Sequence, residues 1–309
     1  MTLSFVLLQP NNNKTIIDMA KLHSSIMTGN FSVDSVTVYS RGGTVVVRSR
    51  RNSQRRVAGT VEQLRRRTTF RNQINLWRAF PSWCRPAFEG RRPGVSDYNM
   101  FVSHNMQSGS VYLTRREAGN GACVLTQVAV SDGSLPPITV SHDGVAPVTD
   151  LSVGGLTVGS ATTVGELSRA IVRNNCGYCF GDELVYYLGL QQWNRMLDMP
   201  VVEMRCTRMT LCSVDYRTVA AATVGAAGFV SRDGWLAASA EVQGGMAWVH
   251  VRRSDRGVLL SAQRMVCNNP YIAQYSSDES LEAACRSYGV ALERPFLEPD
   301  GAAVRNCGK

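Results

Sequence analysis

Lysine is almost missing from this 309-residue chain: Lys14, Lys21 and Lys309 are the whole supply, so thirty of its 33 basic residues are arginine. Histidine is scarce as well, limited to His23, His104, His142 and His250. No apolar run approaches the roughly 20 residues that a membrane-spanning helix needs, which excludes a helical span. No Walker loop, GxSxG or HExxH is present, so three common routes to phosphate, acyl and zinc chemistry have no footing. Charged residues reach only 18% against 44% apolar, which excludes a disordered or collagen-like chain. The length leaves room for two domains, or one large one, around a real core.

What is present is concentrated positive charge. Residues 41–92 hold fourteen arginines against Glu62 and Glu89, a net of +12 in a chain whose total is +9, so the remainder is slightly acidic at −3. Such a block matches an acidic partner: nucleic acid, an anionic surface or an acidic protein. An arginine-rich helix surface with no partner reads the same way by charge alone.

Residues 1–18 differ in character from the rest of the chain. Phe5-Val6-Leu7-Leu8 is too short for a secretory apolar region, and no Lys or Arg precedes it. Met19-Ala20-Lys21 reads as a second translation start, so natural synthesis is expected to begin at Met19 with residues 1–18 as extension, inside an N-terminal division 1–30. The expected location is the cytoplasm before any assembly. The nine cysteines (84, 123, 176, 179, 206, 212, 267, 285 and 307) are odd in number and scattered, which predicts free thiols in a reducing compartment. Cys176-Gly177-Tyr178-Cys179 has the spacing of half a zinc site or a redox pair. Cys206 and Cys212 do not complete it, so packed or loop thiols, with no metal and no cofactor, are expected.

Along the chain, Val36–Tyr39 and Thr44–Val47 are β-branched runs around Gly42-Gly43, a hairpin signal. Arg48, Arg50, Arg51, Arg55 and Arg56 then crowd together, as in an exposed loop or arm. Thr60 and Gln63 form a capping box opening a helix that Pro81 stops. On it Leu64, Phe70, Ile74 and Trp77 predict an apolar stripe, with Arg65, Arg66, Arg67, Arg71 and Arg78 over the rest. A second helix is expected from Ser96 to about Gln107. Strands are expected at 111–114, 124–130, 183–191 and 201–212, the last with one wet face. Thr163 and Glu166 cap a helix ending near Asn175. Asp233-Gly234 and Ser254–Gly257 read as hairpin turns, and Ser276 with Glu279 as the cap of a last helix closed by Gly289.

Catalytic constellations are hard to find. His142-Asp143 are adjacent and cannot orient one another as a triad does, and His250 between Val249 and Val251 reads as a strand residue. Arginines interleaved with Phe70, Trp77, Phe80, Trp83 and Phe88 suit phosphate contact and base stacking, but the aromatics fall at helical spacing, which suits core packing equally.

One resemblance organises part of the chain. Val36-Thr37-Val38-Tyr39, Gly42-Gly43 and Val47-Arg48-Ser49, then Thr60–Leu64 with Arg66–Phe70, Tyr98-Asn99 with Ser103-His104-Asn105, and Val130–Pro136 follow one order. Over about residues 22–137 this order resembles an uncharacterised family of Bacteroidota proteins, the DUF6266 family; Thr69 departs from the basic residue usual there. The second half resembles the longer members only loosely, at Ala247–His250 and Tyr275–Ser277. The resemblance implies a hairpin-plus-helices module followed by a β-sandwich-like part, a binding or structural role near phage and mobile-element genes, and no catalytic residue.

The expected fold class is therefore α+β: an N-terminal β-hairpin plus helices, then a β-rich, sandwich-like C-terminal half with two short helices. The expected divisions are 1–30, 31–146, 147–295 and a loose tail 296–309. The expected function is a non-enzymatic structural or interaction protein, such as a phage virion component, with other subunits as partners in a homo- or hetero-oligomer. The alternatives are a nucleic-acid-binding protein working through 48–78, and a cell-surface binding module. Arg48, Arg50, Arg51, Arg55, Arg56, Arg65, Arg66, Arg67, Arg71 and Arg78 are the expected contact residues.

Overall fold

The computed structural model describes residues 20–22, 31–33, 36–41, 44–49, 59–219, 228–255 and 257–291. The chain forms two compact units, Met1–Val57 and Ala58–Lys309. The expected arm at Arg50, Arg51, Arg55 and Arg56, the early start at Met19 and the tail after 295 lie outside the described residues.

The first unit is a four-stranded antiparallel sheet in the order β1 (Ala20–Leu22), β4 (Thr44–Ser49), β3 (Val36–Arg41), β2 (Phe31–Val33). Arg41 pairs with Thr44, so β3 and β4 make the expected hairpin, and Val38 and Val46 are buried.

The second unit is α+β. Its centre is a five-stranded antiparallel sheet in the order β10 (Met199–Thr210), β9 (Glu183–Asn194), β13 (Gly244–Ser254), β14 (Gly257–Leu260), with β16 (Val266–Asn268) also on β13. Successive side chains on a strand point to opposite faces. One parity of β9 and β13 (Leu184, Tyr186, Leu188, Met246, Trp248) packs toward a smaller sheet and helix α4 (Val164–Asn174). That smaller sheet runs β11 (Phe229–Arg232), β12 (Trp235–Ala238), β8 (Pro147–Ser152), β7 (Val140–His142). The other parity (Val185, Tyr187, Ala247, Val249, Val251) packs against α1 (Val61–Ala79) and α2 (Asp97–Asn105). The central sheet is thus covered on both faces, one sandwich-like and one helical. A short three-stranded sheet of β15 (Gln263–Arg264), β6 (Ala129–Asp132) and β5 (Ala87–Phe88) lies beside it. Helices α3 (Arg115–Asn120), α5 (Tyr271–Tyr275) and α6 (Asp278–Tyr288) also belong to this unit.

Because Leu125, Val128 and Val130 share a cluster with Val185 and Val249, no division falls at 147; residues on both sides of it build one core. The observed division lies at Val57/Ala58 instead.

Local signals hold where they are short-range. Thr60 and Gln63 close the expected capping box, and Thr163 and Glu166 another. Asp233 (φ 49°) and Gly234 (φ 81°) make a left-handed two-residue turn between β11 and β12. The last helix is capped by Ser277 rather than Ser276, and α3 has a capping box, Thr114 with Glu117, that was not expected.

Two expectations fail for a shared reason. The α1 stripe is not apolar: Phe70 is 43% exposed, while Thr68, Asn72, Gln73 and Asn75 are buried beside Leu64 and Leu76. The strand expected at 111–114 does not form, and of the one expected at 124–130 only Ala129 and Val130 lie in a strand, β6. Over 122–129 buried carboxamides supply backbone partners in place of a neighbouring strand. Asn72 donates through Nδ2 to the Val124 carbonyl at 2.9 Å and accepts from the Val124 amide at 2.8 Å. Asn105 does the same for Ala129, at 3.0 and 2.6 Å. Gln191 accepts from the Leu125 amide at 2.9 Å, and Asn75 and Asn269 donate to the carbonyls of Ala122 and Leu125. Buried backbone groups must be paired, and here side-chain amides stand in for a neighbouring strand.

One cysteine pair departs from the expectation of free thiols. Cys84 and Cys206 are joined by a disulfide across 122 residues, whereas Cys176 and Cys179 are free and exposed.

Candidate functional site

The expected contact arginines divide by position. Arg48 lies in β4, in the first unit, and Arg50, Arg51, Arg55 and Arg56 lie outside the described residues. The other five are on α1. Positions 67, 71, 74 and 78 fall along one line of a helix, and Arg67, Arg71 and Arg78 are exposed there with Phe70 beside them and Ile74 half-buried. Arg66 is exposed on a neighbouring line. Arg65 is different. It is half-buried, 3.6 Å from Glu62 and 5.9 Å above the Tyr112 ring, so its charge is already engaged. Arg67 lies 5.9 Å over the Tyr288 ring, a cation–π contact that leaves its charge unneutralised.

A second arginine cluster gathers at a groove of about 670 Å³ on the α1/α2 side of the central sheet. Its floor is apolar, made by Val185, Tyr187, Val249, Val251 and Leu260. Strand parity explains that floor, since these are the side chains pointing away from the smaller sheet. Arg85, Arg91, Arg92, Arg208 and Arg253 line it, against Glu89 and Asp97. Glu89 is committed to the Leu260 amide and to Ser134 Oγ at 2.9 Å. Arg91 pairs with Asp97 at 3.1 Å, while Arg253 and Arg208 share Glu183 at 2.9 and 3.4 Å. The Glu183 carboxylate holds the Arg253 guanidinium above its ordinary pKa. Arg85 sits 5.4 Å over the Trp77 ring of α1, and neither it nor the exposed Arg92 has a carboxylate partner among the described residues. Arg208 also reaches the Trp83 carbonyl at 3.5 Å, and the Trp83 side chain is 60% exposed.

Arg85, Arg91 and Arg92 belong to the basic segment visible in the sequence. Arg208 and Arg253 come from β10 and β13, and only sheet pairing brings them there. No local signal marked them.

On the opposite face of the sheet, His250 finds partners that sequence spacing did not indicate. His250 Nε2 lies 2.8 Å from Asp182 Oδ2, with both side chains buried. Arg252 clamps the same carboxylate from Nε and Nη2 at 2.8 and 2.7 Å, and the Cys179 amide adds a bond at 2.9 Å. Tyr178 stacks on the imidazole at 4.1 Å. Burial pushes the Asp182 carboxyl up, but Arg252, the Cys179 amide and His250 together carry it below the usual range. Burial, opposed by Asp182, lowers the His250 pKa, so the ring is neutral at pH 7 and donates from Nε2. No thiol or hydroxyl among the described residues hydrogen-bonds the ring, so the cluster lacks the nucleophile–base bond of covalent catalysis.

Among the described residues no group of three or more His, Cys, Asp or Glu is placed to hold a metal ion, and no helix is long and apolar enough to cross a membrane. Comparison with protein-family models, curated proteins and solved structures yields no match, so the resemblance to the DUF6266 family rests on its motifs alone.

Proposed function

We propose that this chain is an interaction protein that engages a polyanion, single-stranded nucleic acid foremost, through the groove of Arg85, Arg91, Arg92, Arg208 and Arg253. The observation that carries the reading is an arginine cluster drawn from three separate chain segments onto one apolar floor. Arginine contacts phosphate in a bidentate way and stacks on flat rings, which lysine does less well. The exposed Trp83 supplies a face for bases, whose stacking on aromatics is independent of sequence. The α1 ridge of Arg67, Arg71 and Arg78 extends the positive field. In an assembly, such as the virion suggested by the family resemblance, the same surface would face packaged nucleic acid.

The test is removal of the two groove arginines that lack carboxylate partners. Fluorescence anisotropy of a labelled single-stranded oligonucleotide, titrated with the wild-type chain and with the Arg85→Gln/Arg92→Gln variant, should show affinity falling at least about tenfold in the variant. Equal affinity of the two proteins, or no binding by either, overturns the proposal.

A further inference from the structure

The face of the sheet opposite the arginine groove carries a second cavity, of about 320 Å³, whose chemistry is the reverse. Tyr178, Trp235, His250, Asp150, Asn174 and Asn175 are among its lining residues. Three of these are aromatic or heteroaromatic rings. Tyr178 and His250 are stacked at 4.1 Å with an interplanar angle of 18°, which fixes both in place. Trp235 opens β12 directly after the Asp233-Gly234 turn and is 42% exposed, so much of its ring is left for a ligand.

The charge balance is negative. His250 is neutral at pH 7, and Asp182 behind it is matched by Arg252. Asp150 is exposed on β8, and its carboxylate has no cationic partner among the described residues. The negative field is felt within the cavity: burial first, then the charges of Asp150 and Asp182, drive the Tyr178 hydroxyl well above its ordinary pKa. A pocket in which the Trp235 and Tyr178 rings line the same space as one uncompensated carboxylate recognises organic cations, since the ring faces attract positive charge and the carboxylate orients it.

We infer that this cavity binds an organic cation, a guanidinium or substituted ammonium group. Such a group arrives either as a free small molecule or at the end of a side chain on a basic peptide. Both share the chemistry, and the volume admits the head group with water around it. Asn175 helps hold the wall by donating to the Ser152 carbonyl and accepting from the Ser152 amide, so the lining is tied to β8 before any ligand enters.

The experiment uses the full chain and reads tryptophan fluorescence and calorimetric heat. One arm titrates N-acetyl-arginine methylamide and tetramethylammonium; the other titrates an arginine-containing decapeptide and its glutamate counterpart. Saturable binding of the cations is expected, with the acidic peptide silent. Tighter binding of the arginine peptide than of the free cations identifies a side chain as the natural ligand; equal or weaker binding identifies a small molecule. Asp150→Asn and Trp235→Leu should each weaken binding about two- to fivefold while circular dichroism stays unchanged, because both side chains are exposed. Absence of saturable cation binding up to about 10 mM, or wild-type affinity in Asp150→Asn, overturns the inference. Loss of oligonucleotide binding on the other face leaves this result unaffected, so the two sites fail or stand separately.

Discussion

Replacing Asn72 by alanine isolates the device that holds the second unit together. The Asn72 side chain is fully buried and closes a two-bond bridge to Val124, at 2.9 Å from Nδ2 to the carbonyl and 2.8 Å from the amide to Oδ1. Val124 is itself buried, so bulk solvent does not reach either group in the wild-type fold. An unsatisfied buried donor or acceptor costs about 1–3 kcal/mol, and two are created, so Asn72→Ala should lose about 2–6 kcal/mol of unfolding free energy. Part of any loss in an alanine variant is cavity, so Asn72→Leu is the control. It restores volume yet leaves both backbone groups orphaned, and should remain at least about 2 kcal/mol below wild type. Equilibrium urea unfolding followed by far-ultraviolet circular dichroism measures both. If either variant falls within about 0.5 kcal/mol of wild type, the bridge is not what secures the 122–129 segment.

The buried imidazole sets a pH dependence. His250 is held below its ordinary 6.5 in the folded chain, so as pH falls through that value the unfolded state takes up a proton that the folded state refuses, and stability drops by up to about 1.4 kcal/mol per pH unit until the folded pKa is reached. Asp182 adds its own loss only below its ordinary 3.8. Urea midpoints at pH 7.5, 6.5 and 5.5 should therefore fall in wild type and flatten over that window in His250→Gln; a wild-type midpoint that rises toward pH 5.5 contradicts the assignment. Thiol labelling tests the cysteine arrangement. Cys176 and Cys179, both exposed, should alkylate in the native chain. Cys123, whose buried thiol is pushed up to about 12, should not. Peptide mapping without reductant should recover Cys84 linked to Cys206, and free thiols at both positions would count against that pairing.

The parts of the fold that were legible in the sequence are those decided within a few residues. The Thr60/Gln63 and Thr163/Glu166 boxes and the Asp233-Gly234 turn all sit where expected, because capping and turn geometry depend on local backbone and side-chain reach. The α+β class followed from them. The α1 face was misread because Thr68, Asn72, Gln73 and Asn75 look like surface residues until the segment they bond to is known. Asn72 and Val124 are 52 positions apart, and no pattern along either segment announces the match. The same holds for the sites. Arg85, Arg91 and Arg92 fall in a visibly basic stretch, but Arg208 and Arg253 join them only through the β10-β9-β13 order. Asp182 and His250 meet because β9 and β13 pair with His250 opposite Leu184. Chemistry assembled by strand pairing is invisible to spacing.

The most direct measurement of the central claim is the salt dependence of oligonucleotide binding by the wild-type chain. If Arg85 and Arg92, the groove arginines without a carboxylate partner among the described residues, each take a phosphate, counterion release predicts that the logarithm of the association constant falls against the logarithm of salt with a slope of about −1.4 for a single strand. The Arg85→Gln/Arg92→Gln variant should bring that slope close to zero. A wild-type slope near zero, or a slope that the two substitutions leave unchanged, contradicts the assignment of the groove.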